Sequence, residues 1–229
     1  GFEYTVDIRD QVWLKPGETR AIDWHISRVV DTTGWISGDF HLHAAPSVDS
    51  ALSLADRVLS NVVEGVEFVT STDHDAITNY QPVINDLDLY RFLGFQPGVE
   101  TTTLEFGHYN IFPLTYDDRL KEVHDPPPWQ FQRLGETFDQ MRARADCDPD
   151  EAIIQVNHPS DAFLGMFSQM GLNGLSLERS TSGLEMCNPM SVDIPCDFEA
   201  MEILNERRFE LLRTPTIWEM GQYNVCYAE

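Results

Sequence analysis

The sequence has few lysines and few cysteines, and both shortages narrow the possible functions. Only Lys15 and Lys121 are lysine, whereas 38 residues are acidic, and the formal net charge is -23. A surface this acidic repels phosphate backbones and anionic lipids, which argues against nucleic-acid and membrane partners. The cysteines number four and none forms a Cys-x-x-Cys pair, so we do not expect a structural zinc knuckle.

Several motifs of common enzyme classes are also missing. The sequence contains no Gly-x-Gly-x-x-Gly or Walker loop, which disfavours nucleotide cofactors, and no Gly-x-Ser-x-Gly, which disfavours a serine nucleophile. No apolar run is long enough for a membrane-spanning helix. We therefore expect a soluble protein and leave its compartment open, with secretion or a periplasmic location as alternatives. The sequence does not indicate the oligomeric state.

The apolar share of 42% is enough for a sizeable core. We predict a β-rich N-terminal extension over residues 1–36, or the end of an upstream β-domain, and a main domain over 37–229. In the main domain, predicted strands alternate with predicted helices, which is typical of parallel β/α units. The predicted strands are 35–42, 66–71, 95–99, 109–114, 152–156 and 183–186. The predicted helices are 53–64, 82–93, 135–145 and 198–212.

Polar side chains with metal-ligand chemistry stand at the ends of four predicted strands. Because the carboxyl ends of parallel barrel strands share one rim, we expect these residues to converge. Imidazole and carboxylate ligands suit zinc, manganese or iron, and neighbouring cations polarise phosphoryl or carbonyl oxygens and activate water. The sequence therefore predicts a centre for divalent cations. The residues concerned are His41, His43, His74, Glu100 and His158.

Alternation along a strand places His41 and His43 on the same face, so that both can hold one ion. A pair of surface histidines is the alternative. Asp73 precedes His74, and a buried carboxylate at this position would orient a ligand. The alternative for Asp73 is a loop cap.

Glu100 has two carboxylate oxygens and could bridge two cations, whereas the alternative is an ion pair with arginine. His158 lies in Asn157-His158-Pro159, where the proline restricts the loop. From the residues alone, Asp49 reads as a turn carboxylate and His108 as a structural histidine.

The order of these motifs resembles the PHP superfamily, named for polymerase and histidinol phosphatase. More narrowly, the stretches 64–66 and 107–113 are similar to the CehA/McbA-type metallohydrolase branch. The resemblance covers roughly residues 35 to 205. It rests on Asp39-Phe40-His41-Leu42-His43, Ser47-Val48-Asp49-Ser50, Ser71-Thr72-Asp73-His74-Asp75, Gly98-Val99-Glu100, Gly107-His108-Tyr109-Asn110 and Asn157-His158-Pro159.

The resemblance implies an α/β fold, a distorted seven-stranded (β/α) TIM-like barrel with up to three divalent ions (Zn, Mn or Fe). It also implies metal ligation by Asp49 and His108. On this basis we assign catalytic roles to Asp73, Glu100 and His158. The implied ligand sets are His41, His43 and Glu100 for one ion, Asp49 and His74 for a second, and Glu100, His108 and His158 for a third.

The sequence departs from the family pattern in one respect. The family has an Asp-x-His motif near the C-terminal end of the barrel, and no Asp-x-His follows His158. We therefore expect a barrel incomplete at its C-terminus, from a fragment or a degenerate protein, with fewer bound ions and impaired activity.

The resemblance implies a small-molecule substrate and hydrolysis of phosphoester-type bonds by metal-activated water. Two alternatives stay open. One is hydrolysis of carbamate, ester or amide bonds at the same metals, and the other is a catalytically impaired metal-binding module. A phosphate substrate would favour cationic side chains near the rim, for which Arg57, Arg91 and Arg179 are the candidates.

Overall fold

The structure is a computed structural model, and it describes residues 3–8, 10–116, 126–161, 163–171 and 197–202. The predicted strand 183–186 and most of the predicted helix 198–212 lie outside the described residues. The strands are β1 Gly38–Leu42, β2 Phe68–Ser71, β3 Gly94–Pro97, β4 Val99–Thr102, β5 His108–Phe112, β6 Ile153–Asn157 and β7 Ala200–Met201. The α-helices are α1 Leu54–Glu64, α2 Gln81–Asp86, α3 Leu134–Arg142 and α4 Met166–Gln169.

Helix α1 begins and ends where its sequence predicts. The Ser53 hydroxyl accepts a hydrogen bond from the Asp56 backbone N–H at 3.1 Å and so caps the first turn. Gly65 has φ of 83° and ends the helix in the left-handed conformation that glycine adopts without a steric penalty. Val58 is buried in the same hydrophobic cluster as Leu42 of β1 and Val69 of β2, so α1 packs with the first sheet.

The described strands form two sheets. The first contains β1, β2 and β3 in that order, all parallel. The second has the order β4, β5, β6, β7, in which β5 is antiparallel to both β4 and β6, and β7 is parallel to β6. A bridge between His74 and Glu100 joins the end of β2 to β4. These strands do not close into a barrel within the described residues, so the seven-stranded barrel stays a prediction.

Strand direction explains how distant residues reach one edge. Parallel β1 and β2 bring His41 and the segment after Ser71 to the same edge. In the antiparallel pair, His108 at the start of β5 lies opposite Thr102 at the end of β4. His108 also lies opposite Asn157 at the end of β6. The expectation of parallel units throughout is therefore wrong for β4 to β6, although their antiparallel pairing still delivers these side chains to one edge.

Two further elements differ from expectation. In their described part, residues 1–36 contain no strand and one isolated bridge, between Tyr4 and Arg28. Isolated pairing of this kind does not make a stable sheet. The predicted helix does not begin at residue 198, because Ala200–Met201 pairs with β6 as a strand. Here tertiary pairing overrides the local helical pattern.

The second sheet packs on α3 to form the larger hydrophobic core. Phe138 of α3 is 1% exposed and meets the ring of Tyr109 edge-on, with 5.0 Å between the centroids. Perpendicular aromatic pairs of this kind add to the stabilisation from burial. This core supports β5, which begins with His108, and β6, which is followed directly by His158. Among the described helices, none is long and apolar enough to cross a bilayer.

We expect Phe138→Ala to lower the free energy of unfolding by about 3–5 kcal/mol, because it leaves a cavity against Tyr109. Phe131→Ala is the matched control, since Phe131 is fully exposed and should change stability by about 0.5 kcal/mol or less. Chemical denaturation of both variants measures the difference. Equal effects of the two substitutions would contradict the described core.

Candidate metal centre

Glu100 lies at the centre of the site and is fully buried. Its Oε2 atom lies 3.3 Å from Nε2 of His41, 3.2 Å from Nε2 of His43 and 3.2 Å from Nδ1 of His74. These three imidazoles come from the ends of β1 and β2. One carboxylate oxygen therefore faces three imidazole nitrogens.

The other oxygen of Glu100 faces two more imidazoles. Oε1 lies 3.1 Å from Nδ1 of His108 and 3.4 Å from Nε2 of His158. The side-chain amide of Asn157 donates to the same oxygen at 3.0 Å. Five imidazoles thus surround one carboxylate. We call Glu100 and these five histidines the His–Glu cluster.

The described residues include groups that lie close enough together to hold a metal ion. In each group, one possible ligand atom per residue lies within 4.8 Å of the others. The groups are His41, His43 and Glu100; His43, Asp49 and His74; and His74, Glu100 and His108. The first group is the same as the first ligand set that the resemblance implies. The second group adds His43 to the implied pair of Asp49 and His74. The third group has His74 in place of the implied His158.

The spacing of the donor atoms fits a divalent cation. Two ligands bonded to one ion at about 2.1 Å, with an angle of roughly 90–110° between them, lie roughly 3.0–3.4 Å apart. The Nε2 atoms of His41 and His43 are 3.0 Å apart, and each is within 3.3 Å of Glu100. Two imidazole lone pairs at this distance repel unless a proton or a cation lies between them. The spacing of these atoms therefore suits a metal ion held between them.

Ser47 determines which nitrogen of His43 is free for a ligand. The Ser47 hydroxyl donates to Oδ1 of Asp49 at 2.7 Å and accepts the backbone N–H of His74 at 3.0 Å. Its single proton is used, so its 2.9 Å contact with Nδ1 of His43 places a proton on that nitrogen. Nε2 of His43 is then the ring nitrogen that faces Glu100 and is left for a ligand.

Asp49 lies at the solvent side of the cluster, with 52% of its side chain exposed. Its Oδ2 atom is 3.6 Å from Nε2 of His74, while Nδ1 of His74 lies 2.7 Å from the Thr102 hydroxyl. Burial raises the pKa of Asp49, but the Ser47 hydroxyl together with His43 and His74 lowers it overall. An anionic Asp49 beside His74 agrees with the pair that the family resemblance implies for one ion.

Asp73 is fully buried, and its side chain positions a loop. Oδ1 accepts the backbone N–H of Ala44 at 2.7 Å, and the Tyr80 hydroxyl lies 3.4 Å from Oδ2. Asp73 thus holds the residue directly after His43, rather than contacting the imidazole of His74. Its assigned catalytic role stays a prediction.

Two positioning residues were not identified from the sequence. Asn110 donates to the carbonyl oxygen of Phe40 and accepts from Asn157, which in turn donates to Glu100. These two buried amides connect β1, β5, β6 and β4 beneath the cluster. Both lie in motifs used for the family resemblance, but their partners depend on strand register.

Glu202 is the third residue that the sequence did not indicate. Its Oε1 lies 2.6 Å from Nδ1 of His41, and its Oε2 accepts the backbone N–H of His158 at 2.6 Å. It follows β7, in a segment that was predicted as helix. Pairing of β7 with β6 brings it to the cluster.

Burial and neighbouring charges determine which groups of the cluster are protonated. Burial raises the pKa of Glu100, but hydrogen bonds from His108, His158, His41 and His43 outweigh it and hold the pKa well below its usual value. Burial lowers the pKa of His41, but Glu100 and Glu202 outweigh it and raise the pKa to about 10. Burial lowers the pKa of His74. The metal-free cluster therefore carries an anionic Glu100 and a protonated His41 at neutral pH.

The remaining sequence candidates lie away from the ligand atoms or outside the described residues. Arg57 donates from Nε to the backbone carbonyl of His43 at 2.7 Å. Arg91 lies over the ring of Tyr90, at a cavity lined by the residues before β2 and β3. His25 is exposed and contacts Ser27. Arg179 and His124 lie outside the described residues.

No protein-family model matches the chain, and a search of curated proteins finds no matching relative. The PHP resemblance therefore rests on the motifs themselves and stays an expectation. The convergence of the histidines on Glu100 is independent of it.

We expect metal affinity to rise with pH, because an ion that binds His41 must displace its proton. The metal-free protein keeps that proton until the pH approaches the His41 pKa of about 10. The dissociation constant for zinc should therefore fall about tenfold per pH unit between pH 7 and 9 for this one proton. Titration calorimetry in buffers of different ionisation enthalpy measures the proton release. Binding without proton release at pH 7.5 would contradict this assignment.

Proposed function

We propose that this chain is a metal-dependent hydrolase that cleaves phosphoester-type bonds of a small molecule with metal-activated water. The single observation that carries the proposal is the contact of both oxygens of buried Glu100 with five imidazoles. A carboxylate between two sets of nitrogen ligands suits two neighbouring cations. Sites with neighbouring cations are typical of hydrolases that attack phosphoryl or carbonyl centres.

Each ligand has a place in this proposal. His41 and His43 would hold one ion with Oε2 of Glu100, and His74 would hold a second with Asp49. Oε1 of Glu100, with His108 and His158, would hold a third. Bound divalent cations supply Lewis acidity and lower the pKa of coordinated water.

The protein side chains would act by positioning and by controlling charge. Glu100 stays anionic, so it would offset the positive charge of the ions without leaving the buried site. Asp49 would face the substrate side, because it is half exposed whereas the other ligands are largely buried. Ser47 would keep Nε2 of His43 unprotonated and Asp49 in place.

Hydrolysis of a carbamate, ester or amide is the second candidate, and one observation favours it. Every ion pair described in the His–Glu cluster joins a histidine to a carboxylate, and none of these pairs includes lysine or arginine. A phosphate dianion is usually bound with arginine or lysine, whereas a neutral carbonyl group does not need them. A catalytically impaired metal-binding module is the third candidate.

We expect His41→Ala and His158→Ala each to lower kcat/KM at least about a hundredfold. Losing only a residue that hydrogen-bonds a metal ligand already lowers metal affinity or activity about 10- to 100-fold. His25→Ala is the matched control, since His25 is exposed and contacts Ser27. Steady-state kinetics with added zinc or manganese, together with metal content, measures the effect. Full turnover in the double variant His41→Ala/His158→Ala would reject hydrolysis at this cluster.

A substrate panel distinguishes the two hydrolase candidates. Nitrophenyl phosphate and bis-nitrophenyl phosphate report phosphoester cleavage, while nitrophenyl acetate and a nitrophenyl carbamate report carbonyl chemistry. The proposal expects the larger metal-dependent kcat/KM on the phosphoesters. Metal-dependent turnover confined to the carbonyl esters would favour the second candidate, and tight metal binding without turnover on the whole panel would favour the third.

A further inference from the structure

Glu202 contacts two residues of the His–Glu cluster, His41 and His158, through one carboxylate. Oε1 lies 2.6 Å from Nδ1 of His41, and Oε2 accepts the His158 backbone N–H at 2.6 Å. The side chain is 18% exposed, and that of His41 is 14% exposed. A carboxylate in such short contacts with two N–H groups has a fixed orientation.

The backbone of Glu202 is held independently of its side chain. Its N–H donates to the carbonyl of Val156 at 2.9 Å, as part of the pairing between β6 and β7. The side chain is therefore not required to attach this strand end to the sheet. Its two contacts instead go to ligand residues on β1 and after β6.

We propose that Glu202 is a positioning residue that keeps the proton of His41 on Nδ1, so that Nε2 is available to a metal ion, and that fixes the loop carrying His158. A metal-bound imidazole commonly donates its other N–H to a carboxylate, which fixes the tautomer and the ring orientation. Here the same carboxylate also sets the backbone of a second ligand residue. The inference rests on the proposed metal centre and adds a residue that positions two of its proposed ligands.

Glu202→Gln tests this role with little change in volume. Glutamine has one acceptor oxygen, whereas the site presents two N–H donors. If its oxygen accepts from His158, its NH₂ group faces Nδ1 of His41 and favours the tautomer with the proton on Nε2. If its oxygen accepts from His41, its NH₂ group faces the His158 N–H. Either arrangement loses one contact.

We expect Glu202→Gln to weaken zinc binding by about 10- to 100-fold in competition with a chromophoric chelator. Glu199→Gln is the matched control, because Glu199 makes analogous contacts away from the cluster, with Arg142 at 2.6 Å and the Ile154 N–H at 2.7 Å. The control removes the same charge and should bind zinc as the unsubstituted protein does. Equal zinc affinity in Glu202→Gln and Glu199→Gln would overturn the inference.

A measurement on the unsubstituted protein keeps the inference testable if Glu202→Gln does not fold. Two-bond ¹H–¹⁵N correlation spectra of the zinc-loaded protein report which ring nitrogen of His41 carries the proton. We expect the proton on Nδ1, and a proton on Nε2 would overturn the inference. Failure of the unsubstituted protein to bind zinc would contradict the metal centre itself, which distinguishes it from failure of this role for Glu202.

Discussion

The site depends on the burial of one negative charge. Removing a carboxylate from water costs on the order of several kcal/mol unless other groups compensate for it. Glu100 is fully buried, and its compensation comes from five imidazoles and the Asn157 amide. A neutral imidazole carries no net charge. The negative charge of Glu100 is therefore offset only when some of these imidazoles are protonated or a cation lies beside the carboxylate. The side chains around this carboxylate therefore lie close enough together to hold a metal ion.

The strand arrangement supports this charge from several directions. β1 and β2 deliver three histidines to Oε2, while β5 and the end of β6 deliver two to Oε1. The side-chain amide of Asn157 donates a hydrogen bond to that of Asn110, and the Ser47 hydroxyl donates one to the more exposed Asp49. Most of these contacts join residues distant in sequence, so the cluster forms only when both sheets are in place. Metal binding should for the same reason stabilise the fold.

The convergence of the main ligands could be predicted from the sequence, because it follows from simple strand geometry. The structure brings His41, His43, His74, Glu100 and His158 together, although Glu100 is the second residue of β4 and not the end of a strand. Asp49 and His108 could be identified only by resemblance. In isolation, a loop carboxylate and a strand-initial histidine carry no signal of their partners.

The positioning residues could not be predicted for a different reason. Glu202 reaches His41 only because a two-residue strand pairs with β6, and the local sequence there favours a helix. Asn157 was recognised as part of a motif, but its contact with Glu100 depends on the antiparallel register of β5 and β6. Tertiary pairing of this kind is not encoded in local periodicity.

Anomalous diffraction from crystals grown with zinc or manganese tests the central claim most directly. The account predicts peaks on both sides of the Glu100 carboxylate, each roughly 2.0–2.2 Å from one of its oxygens and from an imidazole nitrogen. Strong peaks elsewhere with none within bonding distance of Glu100 would contradict it.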